Sequence, residues 1–210
     1  MITDHLYFMA EKEPHSEVRS SAILLLGDIG VDNEKALDIA KKALSAKAYN
    51  VQSAGLQTTY RLDSEEGLKA AMSLEDEEMS DIIMGVSTIY AAEADAKFLP
   101  YFTKNLHNVD GYASFDFYEN YVNMIAQLDI KHLSGAVENL KNIGIDMGQS
   151  PWKRMASMQG LSSLNTTFTE KGGDDTSSDM YPFIEKINAA IASLKAKETN
   201  PQLKAIYENY

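Results

Sequence analysis

Val18, Ala22, Leu25 and Ile29 recur at spacings of four, three and four residues, and 33 residues later Val51, Gly55, Thr58 and Leu62 stand in the same order. That spacing is the helical period, so each segment reads as a helix with one apolar stripe facing a core. In the same alignment Ser53 falls on Ser20 and Leu56 on Ile23. Ser16 caps the first of these helices and Gly30 stops it. Asp32 or Asn33 then opens a helix striped by Ala36, Leu37, Ala40 and Leu44, and Ser64-Glu65-Glu66-Gly67-Leu68 repeats that opening 31 residues after Asn33. A further helix from about Glu78 carries Met79, Ile82, Ile83, Val86 and Ile89 on one side, followed by Asp95-Ala96-Lys97-Phe98-Leu99. A period of roughly 30 residues with two helices per unit predicts an all-α fold of stacked helical pairs, an α-solenoid or α-α superhelix. The repeats are clearest over 16–106, and no stretch sustains the period-2 alternation of a strand.

The repeat degrades beyond Leu106. Asn108-Val109-Asp110-Gly111 reads as a turn. Less regular, aromatic-rich helices are expected over 112–164. The first spans about Tyr112–Leu128, with Phe115, Tyr118 or Glu119, Val122 and Ile125 on the core face. The second spans about Lys131–Ile143. The third starts at Ser150-Pro151, an N-cap followed by proline at the first helical position, and ends near Leu164. A polar loop is expected over 166–179, containing Gly172-Gly173-Asp174-Asp175. C-terminal helices follow over 182–210, the last opened by Asn200-Pro201. Composition shows no break, so 1–210 reads as a single helical repeat domain.

The chain has 210 residues with 19 Lys+Arg against 31 Asp+Glu, a net charge of −12. That balance argues against nucleic acid and anionic membrane as partners, because both need a cationic face. With 44% hydrophobic and 24% charged residues the composition is globular, not that of a disordered acidic tail. Cysteine is absent, which removes disulfides, thiolate metal sites and thiol nucleophiles. Neither a basic-then-apolar leader nor a membrane-spanning run is visible, an apolar stretch such as Ala22 to Leu26 being only five residues long. The chain reads as soluble, and no compartment follows from it.

Catalytic patterns are missing. His5, His15, His107 and His132 never lie three or four residues apart, so no two share a helix face as metal ligands would, and no H-E-x-x-H occurs. Glu75-Asp76-Glu77-Glu78 reads as a solvated helix start, since negative charge favours a helix N-terminus; its order is not that of a calcium loop. No Gly-x-Ser-x-Gly elbow, phosphate loop or dinucleotide fingerprint is present. The cluster Tyr112, Phe115, Phe117, Tyr118 and Tyr121 is expected mainly in the core, the alternative being a ligand pocket or a peptide grip.

Val18-Arg19-Ser20-Ser21-Ala22-Ile23-Leu24-Leu25-Leu26 resembles the second helix of a HEAT-type repeat, V-R-x-x-A-x-x-x-L, through Val18, Arg19, Ala22 and Leu26. The copy at Val51 departs from that pattern at three of four places. The wider succession runs through Leu37–Leu44, Val51–Leu62, Ile89–Asp95, Phe98–Phe102 and Gly111-Tyr112. It is similar to the C-terminal helical domain of bacterial zinc aminopeptidases of the aminopeptidase N type, the gluzincins. The resemblance covers about Ser16 to Leu164. It implies a HEAT- or ARM-like domain that caps an active-site cavity and controls peptide access. Its partners would be the catalytic domain of the same parent chain and the peptide substrate. Zinc would sit in the parent enzyme, with no cofactor in this chain: the family's zinc-site and G-x-M-E-N exopeptidase motifs do not occur here, so no catalytic or metal residue carries over. Arg61 and Arg154 could meet a peptide carboxylate on the concave side, the plainer reading of each being an ion pair. The competing class is a free-standing HEAT-like scaffold that binds protein partners.

Overall fold

The computed structural model describes residues 2–29, 33–173 and 175–210. The stop at Gly30, the cap at Asp32 and the loop residue Asp174 lie outside the described residues, as does the side chain of Asn33. Every regular element among the described residues is helical. The backbone groups into two compact units, Met1–Ala92 and Glu93–Tyr210, and each is described by itself.

The first unit holds α1 (Ile2–Lys12), α2 (Ser16–Ile29), α3 (Asn33–Ala43), α4 (Tyr49–Leu62), α5 (Ser64–Ser73) and α6 (Ser80–Glu93, whose last residue falls past the boundary). Helix α1 has no counterpart in the sequence analysis; His5 lies within it and His15 just beyond its end. It forms because Leu6, Tyr7 and Ala10 share one face and are buried against the first core cluster with Ala22, Ile23 and Leu26. Both histidines are nonetheless exposed.

Polar contacts set the directions of the helices. Asn50 Nδ2 donates to Ser16 Oγ at 3.2 Å, Thr58 Oγ1 donates to the Ile23 carbonyl at 3.0 Å, and Arg61 pairs with Asp28. These links join the starts, middles and ends of α2 and α4 at sequence offsets of 33 to 35, so the two helices run parallel and nearly in repeat register. Helix α3 runs antiparallel to α4: Gln52 Nε2 donates to the Leu44 carbonyl at 2.9 Å, and a Cβ placed on Gly55 would stand 2.7 Å from the Ala40 carbonyl oxygen. Asp63 ends α4 and caps α5, accepting from the Glu66 amide at 3.2 Å, and the chain turns back so that Gly67 lies against Tyr60. Packed helical pairs therefore repeat along this unit.

The apolar stripe of α2 differs from the sequence expectation. Ala22, Ile23, Leu26 and Gly27 are buried, whereas Val18, Leu25 and Ile29 are 40%, 46% and 43% exposed. Ala22 to Leu26 is continuously apolar, so two rotational settings of the helix satisfy the periodicity. Gly27 selects between them, because without a side chain there α4 can bring Thr58 and Arg61 against α2. Within the 33-residue repeat, Ala22 and Gly55, Ile23 and Leu56, and Leu26 and Thr59 are all buried, while Val18 and Val51 are not equivalent.

The second unit holds α7 (Leu99–Asn105, after a 3-10 turn at Ala96–Phe98), α8 (Ala113–Gln127), α9 (Leu133–Ile145, after a 3-10 turn at Ile130–His132), α10 (Pro151–Phe168), α11 (Tyr181–Lys197) and α12 (Pro201–Tyr207). Parallel stacking recurs here. Phe115 and Tyr112 meet Trp152, and Lys171 Nζ reaches the Ala126 carbonyl at 2.6 Å, which aligns α8 with α10 and the turn after it. Lys186 Nζ contacts Ser134 Oγ at 3.1 Å and Gly144 backs onto Leu194, which aligns α9 with α11.

Two further expectations change. The loop over 166–179 starts later than expected, because α10 continues to Phe168, whose ring is buried; a π-helical turn over Thr169–Gly173 follows. On α8 the core face is Phe117, Tyr118, Tyr121, Val122, Met124 and Ile125, with Phe115 only half-buried. Tyr118 and Tyr121 tolerate burial because their hydroxyls are engaged: Tyr118 donates to the Leu106 carbonyl and Tyr121 accepts from Asn139, each at 3.0 Å.

Ser157 of α10 is fully buried and its hydroxyl has no partner among the described residues. Alanine there would remove a desolvated polar atom and suit the helix better. Ser157→Ala is expected to raise stability by about 0.5–1 kcal/mol, read from the urea midpoint.

Candidate functional site

Arg154 sits in the first turns of α10, behind an N-cap in which Ser150 Oγ accepts from the Lys153 amide at 3.3 Å. Its guanidinium is buried and points at Glu198, in the turn between α11 and α12. Nε donates to Oε2 at 3.1 Å and Nη2 to Oε1 at 3.2 Å, the two-pronged geometry in which a guanidinium fork matches a carboxylate. Nη1 donates to the Gln149 carbonyl at 2.9 Å. Glu198 Oε1 also accepts from the Thr199 and Asn200 amides at 2.9 and 2.7 Å, and Asn200 caps α12 by accepting from Gln202 and Leu203. This ion pair thus ties the start of α10 to the α11–α12 turn. Beside it the Tyr207 ring is buried, and its hydroxyl has no partner among the described residues. Burial pushes that hydroxyl well above the ordinary tyrosine range, with Glu198 adding to the rise and Arg154 opposing it.

Lys153, the neighbour of Arg154, is also buried. Its Nζ donates to the His107 carbonyl at 2.7 Å, joining α10 to the turn after α7. Ser150 donates to Asp110, which also accepts from the Gly111 amide at 2.6 Å in the turn where Gly111 takes a φ of +66°. The Ser150 contact holds the Asp110 carboxyl below the usual carboxylate range. Its contribution is therefore present above the unfolded-state value and lost as pH falls through the folded one.

Arg61 belongs to the first unit and Arg154 to the second. The Arg61 guanidinium is partly exposed and pairs with Asp28. Both arginines are held in internal ion pairs, one at the surface and one buried. Sequence spacing gives no hint of Glu198 as the partner of Arg154, since the two are 44 residues apart and meet only through the packing of α10 beside α11 and α12.

Among the described residues, no group of three His, Cys, Asp or Glu side chains is placed to hold a metal ion. Within Glu75-Asp76-Glu77-Glu78, Glu75 accepts a hydrogen bond from the buried Tyr90 hydroxyl, so part of the acidic run anchors the chain ahead of α6. Of the aromatic cluster, Phe117, Tyr118 and Tyr121 are core, while Tyr112 is 76% exposed with its ring 4.5 Å from that of Trp152. No helix among the described residues is long and apolar enough to cross a membrane. No protein-family model matches the chain, and no curated protein matches its sequence.

Proposed function

We propose that this chain is a non-catalytic α-solenoid of HEAT-like helical pairs. In this reading it serves as the C-terminal helical domain of a zinc aminopeptidase of the aminopeptidase N type, capping the active-site cavity and controlling peptide access. The observation that carries the solenoid reading is the parallel stacking of α2 on α4 at offsets of 33 to 35 residues, close to the sequence repeat. Helices joined in this way extend a surface from pair to pair instead of closing around a pocket. The aminopeptidase part rests on the resemblance of Val18–Leu26 and of the helical succession up to Leu164. The exposed apolar stripe of Val18, Leu25 and Ile29 on α2 supports a role that includes a partner surface, the catalytic domain of the parent chain being the partner proposed.

The purified chain is expected to hold no stoichiometric zinc after incubation with the metal and dialysis, and to release no product from aminoacyl-nitroanilides. Zinc is read by elemental mass spectrometry and hydrolysis by absorbance. Hydrolysis that co-migrates with the protein and disappears on chelation would sink the non-catalytic reading.

A further inference from the structure

A groove of the first unit lies where α1 ends and α2, α3 and the start of α4 converge, with a volume of about 610 Å³. That is ligand-sized. Its floor is apolar and built partly from small side chains, Ala10, Ala43 and Ala46 beside Ile23, Ile39 and Val51, which leaves a depression open to solvent. Its rim is cationic although the protein carries a net charge of −12. Lys12 comes from the end of α1, Arg19 from the start of α2, Lys42 from the end of α3 and Lys47 from the turn before α4; Glu11 is the carboxylate among the lining residues.

Two of the four cations are engaged. Lys42 pairs with Asp38 one turn earlier on its own helix, and Arg19 donates to the Glu13 carbonyl at 3.1 Å. Lys12 and Lys47 are exposed and have no carboxylate partner among the described residues. Two such ammonium groups on separate elements beside an apolar floor favour an anionic occupant at this place.

We infer that this groove binds a short peptide segment in which carboxylate side chains flank apolar ones, the apolar groups resting on the alanine-lined floor and the carboxylates meeting Lys12 and Lys47. Charge complementarity selects this occupant. A long-chain fatty acid offers one head group and calls for an enclosed tunnel, whereas this groove is open and its cations come from four separate segments. The inference stands independently of any aminopeptidase parent.

The test is fluorescence anisotropy with a fluorescein-labelled peptide, acetyl-Glu-Leu-Asp-Leu-Glu-Leu, against its Gln/Asn counterpart, with oleate as competitor. Saturable binding of the acidic peptide is expected. It should weaken by about tenfold for the neutral counterpart and for the Lys12→Glu/Lys47→Glu variant. It should also fall with added salt, because rim charges are screened. Both substitutions are at exposed positions, and an unchanged thermal melt shows the variant is folded. The inference is overturned by the absence of saturable binding up to about 1 mM peptide, by equal binding of the neutral peptide or of the double variant, or by oleate binding where the acidic peptide does not.

Discussion

Arg154→Ala is expected to lower the stability of the protein by about 3–5 kcal/mol, because it leaves the Glu198 carboxylate buried without its counter-charge. The side chain of Glu198 is fully inaccessible to solvent, so water cannot take the place of the guanidinium. The Gln149 carbonyl loses its donor in the same step, and the turn that orients Asn200 as the cap of α12 loosens. Glu198→Ala should cost a similar amount, since it strands the arginine. The pair Arg154→Met/Glu198→Leu should recover most of the loss, because an apolar replacement of both partners removes the desolvation cost along with the attraction. Urea unfolding of the two single variants and the double variant checks this. A loss below about 1 kcal/mol for Arg154→Ala would mean that the pair is solvated in solution and does not hold the unit together.

Gly67→Ala carries the other large effect. A Cβ built on Gly67 would stand 2.1 Å from Tyr60 Cα, 2.4 Å from Tyr60 Cβ and 2.4 Å from the Tyr60 backbone nitrogen. These are main-chain atoms and the root of a side chain, so no rotamer change relieves the overlap and α5 must move away from α4. The expected cost is about 3 kcal/mol or more, at the upper end of the range for overpacked interiors. Circular dichroism melts of Gly67→Ala beside Gly135→Ala supply the comparison, since a Cβ at Gly135 meets nothing within 4 Å. Equal melting temperatures for the two variants would contradict the close approach of α4 and α5.

The helices were readable from the 3.6-residue period because most of them bury a continuous face. The cap at Ser150 and the opening of α12 at Asn200-Pro201 follow from local chemistry that acts within one turn of the chain. Helix α1 escaped because His5 and His15 mark its neighbourhood as polar, and its stripe of Leu6, Tyr7 and Ala10 is short. The face of α2 was ambiguous because five apolar residues in a row satisfy more than one helical setting, and only the approach of α4 over Gly27 decides between them. Thr166 and Thr167 have the character of loop residues and predict an earlier end for α10, whereas the buried ring of Phe168 holds the helix through them.

The candidate site was less legible than the fold. Arg154 could be picked out as a cation of interest, but its partner lies in a turn 44 residues away that only tertiary packing brings near. The cationic groove is hidden for the same reason. Lys12, Arg19, Lys42 and Lys47 are scattered through an acidic sequence and share a rim only once four segments converge.

The central claim, a helical domain belonging to a larger zinc aminopeptidase, is tested most directly by the native polypeptide itself. An antibody raised against α10–α11 should detect, in the source cells, a band far above the mass of 210 residues. Peptide sequencing of that band should return an H-E-x-x-H segment upstream of Ser16. A native band at the mass of 210 residues, with no such segment in the same reading frame, would contradict the claim and leave a free-standing helical scaffold in its place.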